Sequence, residues 1–407
     1  MNRVLVQICL MKINILLFIL FSIHLSCASQ SEKAPSSLEM GASQFERYLP
    51  LLKDKKVGIV ANVTSMVGST HLVDTLLSQK VQIIKVFAPE HGFRGNHGAG
   101  DHVSDEKDAK TGLPLISLYG KNKKPSVEMM KGLDMVIFDI QDVGARFYTY
   151  ISTMHYVMEA CAENKIPVLV LDRPNPNGFY IDGPVLDPKF KSFVGMHPIP
   201  VVHGCTVGEL AQMINGEKWL AGGITCNLTV VPMKGYDHKT LYELPVAPSP
   251  NLPNMSAIYS YPSLCFFEGT NISVGRGTEF PFQCFGTPNN KTGKFSFTPQ
   301  DIPGVVKDAP YKGQLCKGHL VKEFGEFYFT THKEIYLNWL VDTYNTCDDK
   351  SKFFSSADFF DKLMGNSSVR ANIIKGATVE EIRKTWAQEL EDYKKMRKKY
   401  LLYQDFE

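Results

Sequence analysis

The chain has 407 residues, 44% of them hydrophobic and 21% charged, with a formal net charge of +2. That length suits two domains, or one large domain with an appendage, and the composition suits a packed core. A charge so near neutral gives no footing for nucleic acid or an anionic membrane surface as a partner.

The first residues stand apart. "MKINILLFILFSIHLSC" joins a lysine to an apolar run, Ile13 to Ile23, that is too short to span a membrane and fits the core of a signal peptide. "HLSCAS" resembles a bacterial lipoprotein box. Residues 1–27 are therefore expected to be a leader, with Cys27 as lipid anchor of an exported protein in the periplasm or cell envelope. The alternative is ordinary cleavage that leaves a soluble exported protein. A flexible tether is expected over 28–40, where "ASQSEKAPSS" is small and polar. Seven cysteines follow the leader without a CxxC pair, so the usual zinc spacing is missing and most should be small buried hydrophobes.

From 41 to 227, strand-like and helix-like segments alternate. "KVGIVANVT" (56–64) reads as a strand, "HLVDTLLSQ" (71–79) as a helix, and the run from Val81 to Phe87 as the next strand. "PSVEMMKGL" (125–133) has helical spacing with proline at its start. "MVIFDIQDV" (135–143) is a strand, "YISTMHYVMEACAENK" (150–165) a helix, and "IPVLVLDRPNPNG" (166–178) a strand ending in a turn. Thr206 and Glu209 form a capping box that opens another helix. The strands are apolar without alternation, as strands covered on both faces are, so the sheet is parallel. The fold class is α/β, a doubly wound Rossmann-like sheet. From 228 to 407 the chain turns rich in proline, glycine and aromatics, then helical. It reads as a smaller α+β domain over the cleft of the first. A second capping box, Thr378 and Glu381, starts a helix whose apolar face is Ile382, Trp386, Leu390 and Tyr393.

Ligands of such sheets bind beyond the carboxyl ends of the strands, and polar residues gather there. The second strand runs into Glu90, His91, Arg94, His97 and Asp101. The third carries Asp139, Asp142 and Arg146. The fourth ends in Asp172, Arg173, Asn175 and Asn177, and "PIPVVHG" ends in His203. Each has a plainer reading: Asp172 as a turn former, Asp139 as a buried partner of Arg146 or Arg173, His203 as the closure of a loop. Glu90 has the weakest such alternative, because it follows Pro89 at a strand end beside glycines that let a ligand approach. GxGxxG, GxxxxGK[ST] and GxSxG are all missing, so no nucleotide cofactor or serine elbow is indicated. The histidines and aspartate of "HGFRGNHGAGDH" lack a helical metal-binding pair, and no metal or other cofactor is expected. Several carboxylates without a metal suit glycoside cleavage, one protonated group donating to the leaving oxygen and a second serving as nucleophile or base. Arginines suit a sugar that bears a carboxylate. The aromatics of "YSYPSLCFFEGTN" could stack on sugars, although core packing explains most of them.

"FAPEHGFRG", "DIQDVGARFYTY", "LDRPNPNG", "GPVLD", "PSPNLP", "FFEGTNISVGRGTEFPF" and "KYLLY" together resemble the NamZ-type exo-β-N-acetylmuramidases, a bacterial family, over about Leu38 to Tyr403. The resemblance implies a Rossmann-like domain, a smaller C-terminal domain and an active site between them. It implies release of terminal N-acetylmuramic acid from the non-reducing end of peptidoglycan fragments, with muropeptides and disaccharides as substrates. It carries the catalytic glutamate to Glu90. Asp139 or Asp142 is the best second carboxylate by position. His91, Arg94, His97, Asp101, Arg146, Arg173, Asn175, His203, Glu268 and Arg276 are the substrate-binding candidates. Among them Arg94, Arg146, Arg173 and Arg276 could pair with the lactyl carboxylate of muramic acid. Two rival readings use the same cleft: a muropeptide-binding lipoprotein without activity, and a metal-dependent hydrolase of the same substrate.

Overall fold

The apolar runs pair into one seven-stranded sheet. The computed structural model describes residues 38–90, 92–94, 106–290 and 293–407. The strands are β1 (Lys56–Ala61), β2 (Gln82–Ala88), β3 (Glu106–Lys107), β4 (Pro114–Ser117), β5 (Met135–Asp139), β6 (Val168–Leu171) and β7 (Leu228–Val231). Their order is β3-β4-β2-β1-β5-β6-β7, with every pair parallel except β3 against β4. The six parallel strands, counted along the chain, therefore lie 3-2-1-4-5-6, the doubly wound Rossmann order.

Alternate residues of each strand feed two cores. Val57, Ile59 and Ala61 pack with helices α1 (Phe45–Leu52) and α2 (Leu72–Ser78) on one face. Val60, Val136, Phe138, Val168 and Val170 belong to the larger core of the other face. That core takes in α3 (Val127–Met130), α4 (Tyr150–Glu163) and α5 (Val207–Gly216). The capping box of α5 is formed, Thr206 N donating to Glu209 Oε2 at 2.9 Å and Glu209 N to Thr206 Oγ1 at 3.3 Å. Helix α3 is a single turn, shorter than its spacing suggests, and is followed by Gly132 in the left-handed region.

The second part starts with α6 (Met255–Leu264) and a 3-10 turn, Cys265–Gly269. It continues with antiparallel strands β8 (Cys284–Thr287), β9 (Phe295–Phe297) and β10 (Cys316–Leu320) in the order β8-β10-β9. The helices α7 (Lys322–His332), α8 (Asn338–Thr346), α9 (Ala357–Met364), α10 (Ser368–Ile374), α11 (Val379–Lys384) and α12 (Ala387–Arg397) complete it. Thr378 and Glu381 form the expected second capping box. The single helix expected after it is broken at Thr385–Trp386, yet Ile382, Trp386 and Tyr393 are buried on one side as the spacing indicates. Phe266, Phe267, Phe282, Phe329 and Phe360 share the larger core with Val136 and Phe138, so the two parts are packed as one body.

Two boundaries differ from the composition. Leu228–Val231, placed by composition in the second part, is the last strand of the sheet. Glu39, placed in the tether, exchanges both backbone hydrogen bonds with Lys234 at 2.9 Å. Leader residues 1–27, Cys27 included, lie outside the described residues. The other seven cysteines all carry free thiols, six of them buried.

Candidate active site

The parallel register sets Ala61 beside Asp139, and Val60 beside Phe87, so the carboxyl ends of β1, β2 and β5 lie along one edge. The switch point of a doubly wound sheet, where nucleotides sit in other proteins of this topology, is between β1 and β5. Here the protein's own side chains fill it. Asn62, Thr64, Ser65, Asp139 and Gln141 are all at most 4% exposed. Ser65 Oγ donates to the Asp139 carbonyl, and Gln141 N donates to Thr64 Oγ1 at 3.1 Å.

The open space lies to one side of that crevice. A cavity of about 580 Å³ is walled by residues of both parts, including Glu90, Tyr119, Lys123, Thr149, Glu268 and Arg276. Strand β2 ends at Ala88, and Pro89 turns the chain so that Glu90 is half-buried at the rim. Thr149 Oγ1 lies 3.5 Å from Glu90 Oε2, and Tyr150 Oη donates to the Glu90 carbonyl at 3.3 Å. Burial, then the charge of Glu90, raises the pKa of Tyr150, so its hydroxyl stays a donor. Tyr148 Oη donates to the Pro248 carbonyl at 2.7 Å and its ring meets that of Tyr150 edge-on. The "RFYTY" segment thus fastens the end of β2 to the "PSPNLP" loop.

Opposite stands an ion pair from the second part. Arg276 Nε donates to Glu268 Oε1 at 2.5 Å, and each side chain is 21% exposed. Burial pulls the guanidinium's pKa down, but Glu268 outweighs it and the net shift is upward. The "GRG" around Arg276 has a backbone reason. Gly275 and Gly277 both have positive φ, and a Cβ on them would meet the Phe280 and Gln300 carbonyls at 2.5 and 2.3 Å. Any other residue at either position would displace the arginine, whose guanidinium also lies 4.8 Å from the Phe282 ring centre.

The structure separates the remaining candidates. Asp139 does not line the cavity. It is fully buried and bound bidentately by Arg173, at 2.6 and 2.8 Å, which makes both of them parts of the sealed crevice. Asp142 does not line it either. Its Oδ2 accepts from Gly144 N at 2.7 Å and lies 3.4 Å from His203 Nε2. His203 is itself buried, its Nδ1 accepting from Cys205 N. Arg146 is removed as a ligand for substrate: it is wholly buried and donates to the carbonyls of Pro184, Ile199 and Leu363. With no acid paired to it among the described residues, burial pushes its pKa down to about 9. Asn175 holds the "NPNG" turn, Nδ2 donating to the Cys205 carbonyl and Oδ1 accepting from Asn177 N. Arg94 pairs with Asp108 and Asp74 at 2.8 and 3.1 Å, beside a different cavity. His91, His97 and Asp101 lie outside the described residues. Asp172, read as a turn former, caps α5 and anchors the C-terminus instead: it accepts from Gly208 N at 2.8 Å and from Tyr403 Oη at 2.5 Å.

Of the candidates, then, Glu90, Glu268 and Arg276 share the cavity wall. Sequence reasoning missed Lys123, whose Nζ lies 4.3 Å from the Phe193 ring centre at the same wall. It sits in a polar turn, "GKNKKPS", with no local feature to single it out. Thr149 was passed over too, although it falls within a motif that carries the resemblance.

Residues 57–256 match the N-terminal and 259–403 the C-terminal model of "Exo-beta-N-acetylmuramidase NamZ". A "Peptidoglycan beta-N-acetylmuramidase NamZ" of Bacillus subtilis is 42% identical over 376 residues, covering 88% of this chain and 89% of that one. A DUF1343 family protein from Bacteroides fragilis is 48% identical, with a TM-score of 0.83 over 91% of this chain and 100% of its own. A second from the same species is 29% identical, with a TM-score of 0.73 over 90% and 99%. The chain belongs to the exo-β-N-acetylmuramidase NamZ family.

Proposed function

We propose that the protein is an exo-acting glycoside hydrolase that releases terminal β-linked N-acetylmuramic acid from the non-reducing end of peptidoglycan fragments. The observation that carries this reading is the sharing of one cavity by two carboxylates, Glu90 from the sheet and Glu268 from the second part. Family membership supports the same reading.

Glycoside cleavage needs a proton for the leaving oxygen and a negative charge facing the developing oxocarbenium ion. Glu90, with the Thr149 hydroxyl beside it, suits the proton-carrying role: its carboxyl protonates the glycosidic oxygen as the C1–O bond breaks, and the water whose oxygen then bonds to C1 gives its proton back to the carboxylate. Glu268, ion-paired with Arg276, suits the charge-bearing role. Among the described residues of the cavity wall, Lys123 and the outer face of Arg276 are the cations available to the lactyl carboxylate, in place of the wider set of arginines. We also propose export and lipid anchoring through Cys27, supported by the apolar run Ile13 to Ile23 and the "HLSCAS" box. Incorporation of a labelled fatty acid that Cys27→Ser leaves intact would sink the anchoring proposal.

The test is hydrolysis of a chromogenic β-N-acetylmuramic acid glycoside by the chain without its leader. Wild type should release the chromophore, and folded Glu90→Gln should lose about 10²–10⁴-fold in kcat. Arg276→Met should weaken that substrate more than the N-acetylglucosamine analogue. Binding of the sugar without release by wild type would replace the enzyme with a binding protein.

A further inference from the structure

Glu268 does not stand on a free loop. Helix α6 ends at Leu264, and the chain tightens at once into the 3-10 turn Cys265–Gly269. Such a turn has about three residues per revolution, so side chains three apart eclipse one another. Cys265 and Glu268 are three apart. A thiol is thereby set against a carboxylate: Cys265 Sγ donates to Glu268 Oε2 at 3.5 Å. The turn is clamped from outside. A Cβ on Gly269 would lie 2.6 Å from the Phe360 Cα, so only glycine lets α9 press this close. Thr270 Oγ1 closes the turn by donating to the Phe267 carbonyl at 2.7 Å.

The carboxylate is held at both oxygens, Oε1 by Arg276 Nε and Oε2 by the thiol. Cys265 is the one described cysteine in the wall of the 580 Å³ cavity, and it is 1% exposed. Two other thiols meet neutral groups instead: Cys205 lies 3.4 Å from the Tyr393 hydroxyl, and Cys347 donates to the Tyr344 carbonyl at 3.1 Å. Burial, then the Glu268 charge, pushes the pKa of Cys265 well above its usual range, so the sulfur keeps its proton and stays a donor. Tyr261 is a further titratable neighbour, and burial keeps its hydroxyl protonated as well. An S–H group is a weak donor. Beside the charge-assisted bond from Arg276 it adds direction while withdrawing little charge. A carboxylate that faces a developing oxocarbenium ion needs both a fixed orientation and its negative charge.

We propose that Cys265 is a positioning residue, whose thiol orients the Glu268 carboxylate toward the reacting carbon and leaves its charge available. This rests on the glycosidase reading and on the charge-bearing role of Glu268 within it.

The test compares Cys265→Ala, which deletes the donor, with Cys265→Ser, which replaces it by a stronger one. On the chromogenic muramic acid glycoside, Cys265→Ala should lower kcat about tenfold, with KM within about twofold of wild type. The acid limb of its kcat/KM profile, where Glu268 takes up a proton, should move up by about half a pH unit, because a donor to the charged form has gone. Cys265→Ser should recover most of kcat and return that limb to the wild-type position or below it. A packing role alone predicts that both variants lose stability while the limb stays in place. That outcome overturns the proposal, as does a limb that moves up in both variants. A second readout needs no turnover. The S–H stretching band that Cys265→Ala removes from the infrared spectrum should rise in frequency in Glu268→Gln, whose neutral amide is the weaker acceptor. An unmoved band overturns the proposal. A wild type that releases no chromophore fails the hydrolase reading and takes the orienting role with it, even where the band shifts.

Discussion

Two of the molecule's carboxylate–guanidinium pairs stand in contrasting settings. At the sheet switch point Asp139 is held by Arg173, with the carboxylate fully buried and the guanidinium side chain 5% exposed. At the cavity wall Glu268 is held by Arg276, each side chain 21% exposed. Both pairs are short and both follow motifs that carry the family resemblance. The first is turned inward, since Arg173 also donates to the Met66 carbonyl at 3.1 Å. The second keeps part of its surface toward open space. Residue type and ion pairing do not distinguish the sealed carboxylate from the one proposed to act in catalysis; the opening onto a cavity does.

Conservative amide substitutions should separate the two settings. In Glu268→Gln we expect kcat on the chromogenic muramic acid glycoside to fall on the order of 10²-fold or more, with a urea midpoint close to wild type. In Asp139→Asn we expect the reverse. A buried guanidinium loses its counter-charge, which costs about 3–5 kcal/mol, and the protein that still folds should keep kcat within a few-fold of wild type. Both variants measured in both assays give the answer. An Asp139→Asn enzyme that is stable but inactive would return Asp139 to the catalytic list.

The fold was largely legible because it depends on apolar runs. The strand runs at Lys56, Gln82, Met135 and Val168 are long, unbroken and punctuated by helical spacing, so the parallel sheet follows from burial on both faces. Both capping boxes were readable because they depend on residues three apart. The site was legible only in part, because it depends on which polar groups at the rim are consumed by one another. Asp139, Asp142, Arg146 and Arg173 have the right chemistry at the right edge. Their partners are Arg173, His203, three backbone carbonyls and Asp139, residues or groups brought together by tertiary packing. No spacing along the chain encodes those pairings. Glu90 stood out because a proline ends its strand and glycine follows. Glu268 and Arg276 entered only through the resemblance, since their cavity is completed across more than 170 residues from Glu90.

Behind the cavity wall a third setting can be broken by acid. His155 Nδ1 and His197 Nε2 lie 3.0 Å apart, with His197 fully buried against Trp219 and His155 beside the Tyr156 ring that stacks on Phe193. One N–H serves the pair, and no room exists for two positive charges. Burial pushes the pKa of His155 down to about 4, and that of His197 well below its usual value. A depressed folded-state pKa means stability that is present above the unfolded value, about 6.5, and is lost as pH falls toward the folded one. For His155 the loss between about pH 7.5 and 4.5 comes to about 2–3 kcal/mol. His155→Gln keeps a hydrogen bond to His197 and removes one titrating group. Urea unfolding of the variant should therefore show about 2–3 kcal/mol less acid destabilisation than wild type over that range. If the two proteins lose stability in parallel on acidification, the histidine pair is not neutral in the folded state, and the Phe193 side of the cavity wall must accommodate a buried imidazolium.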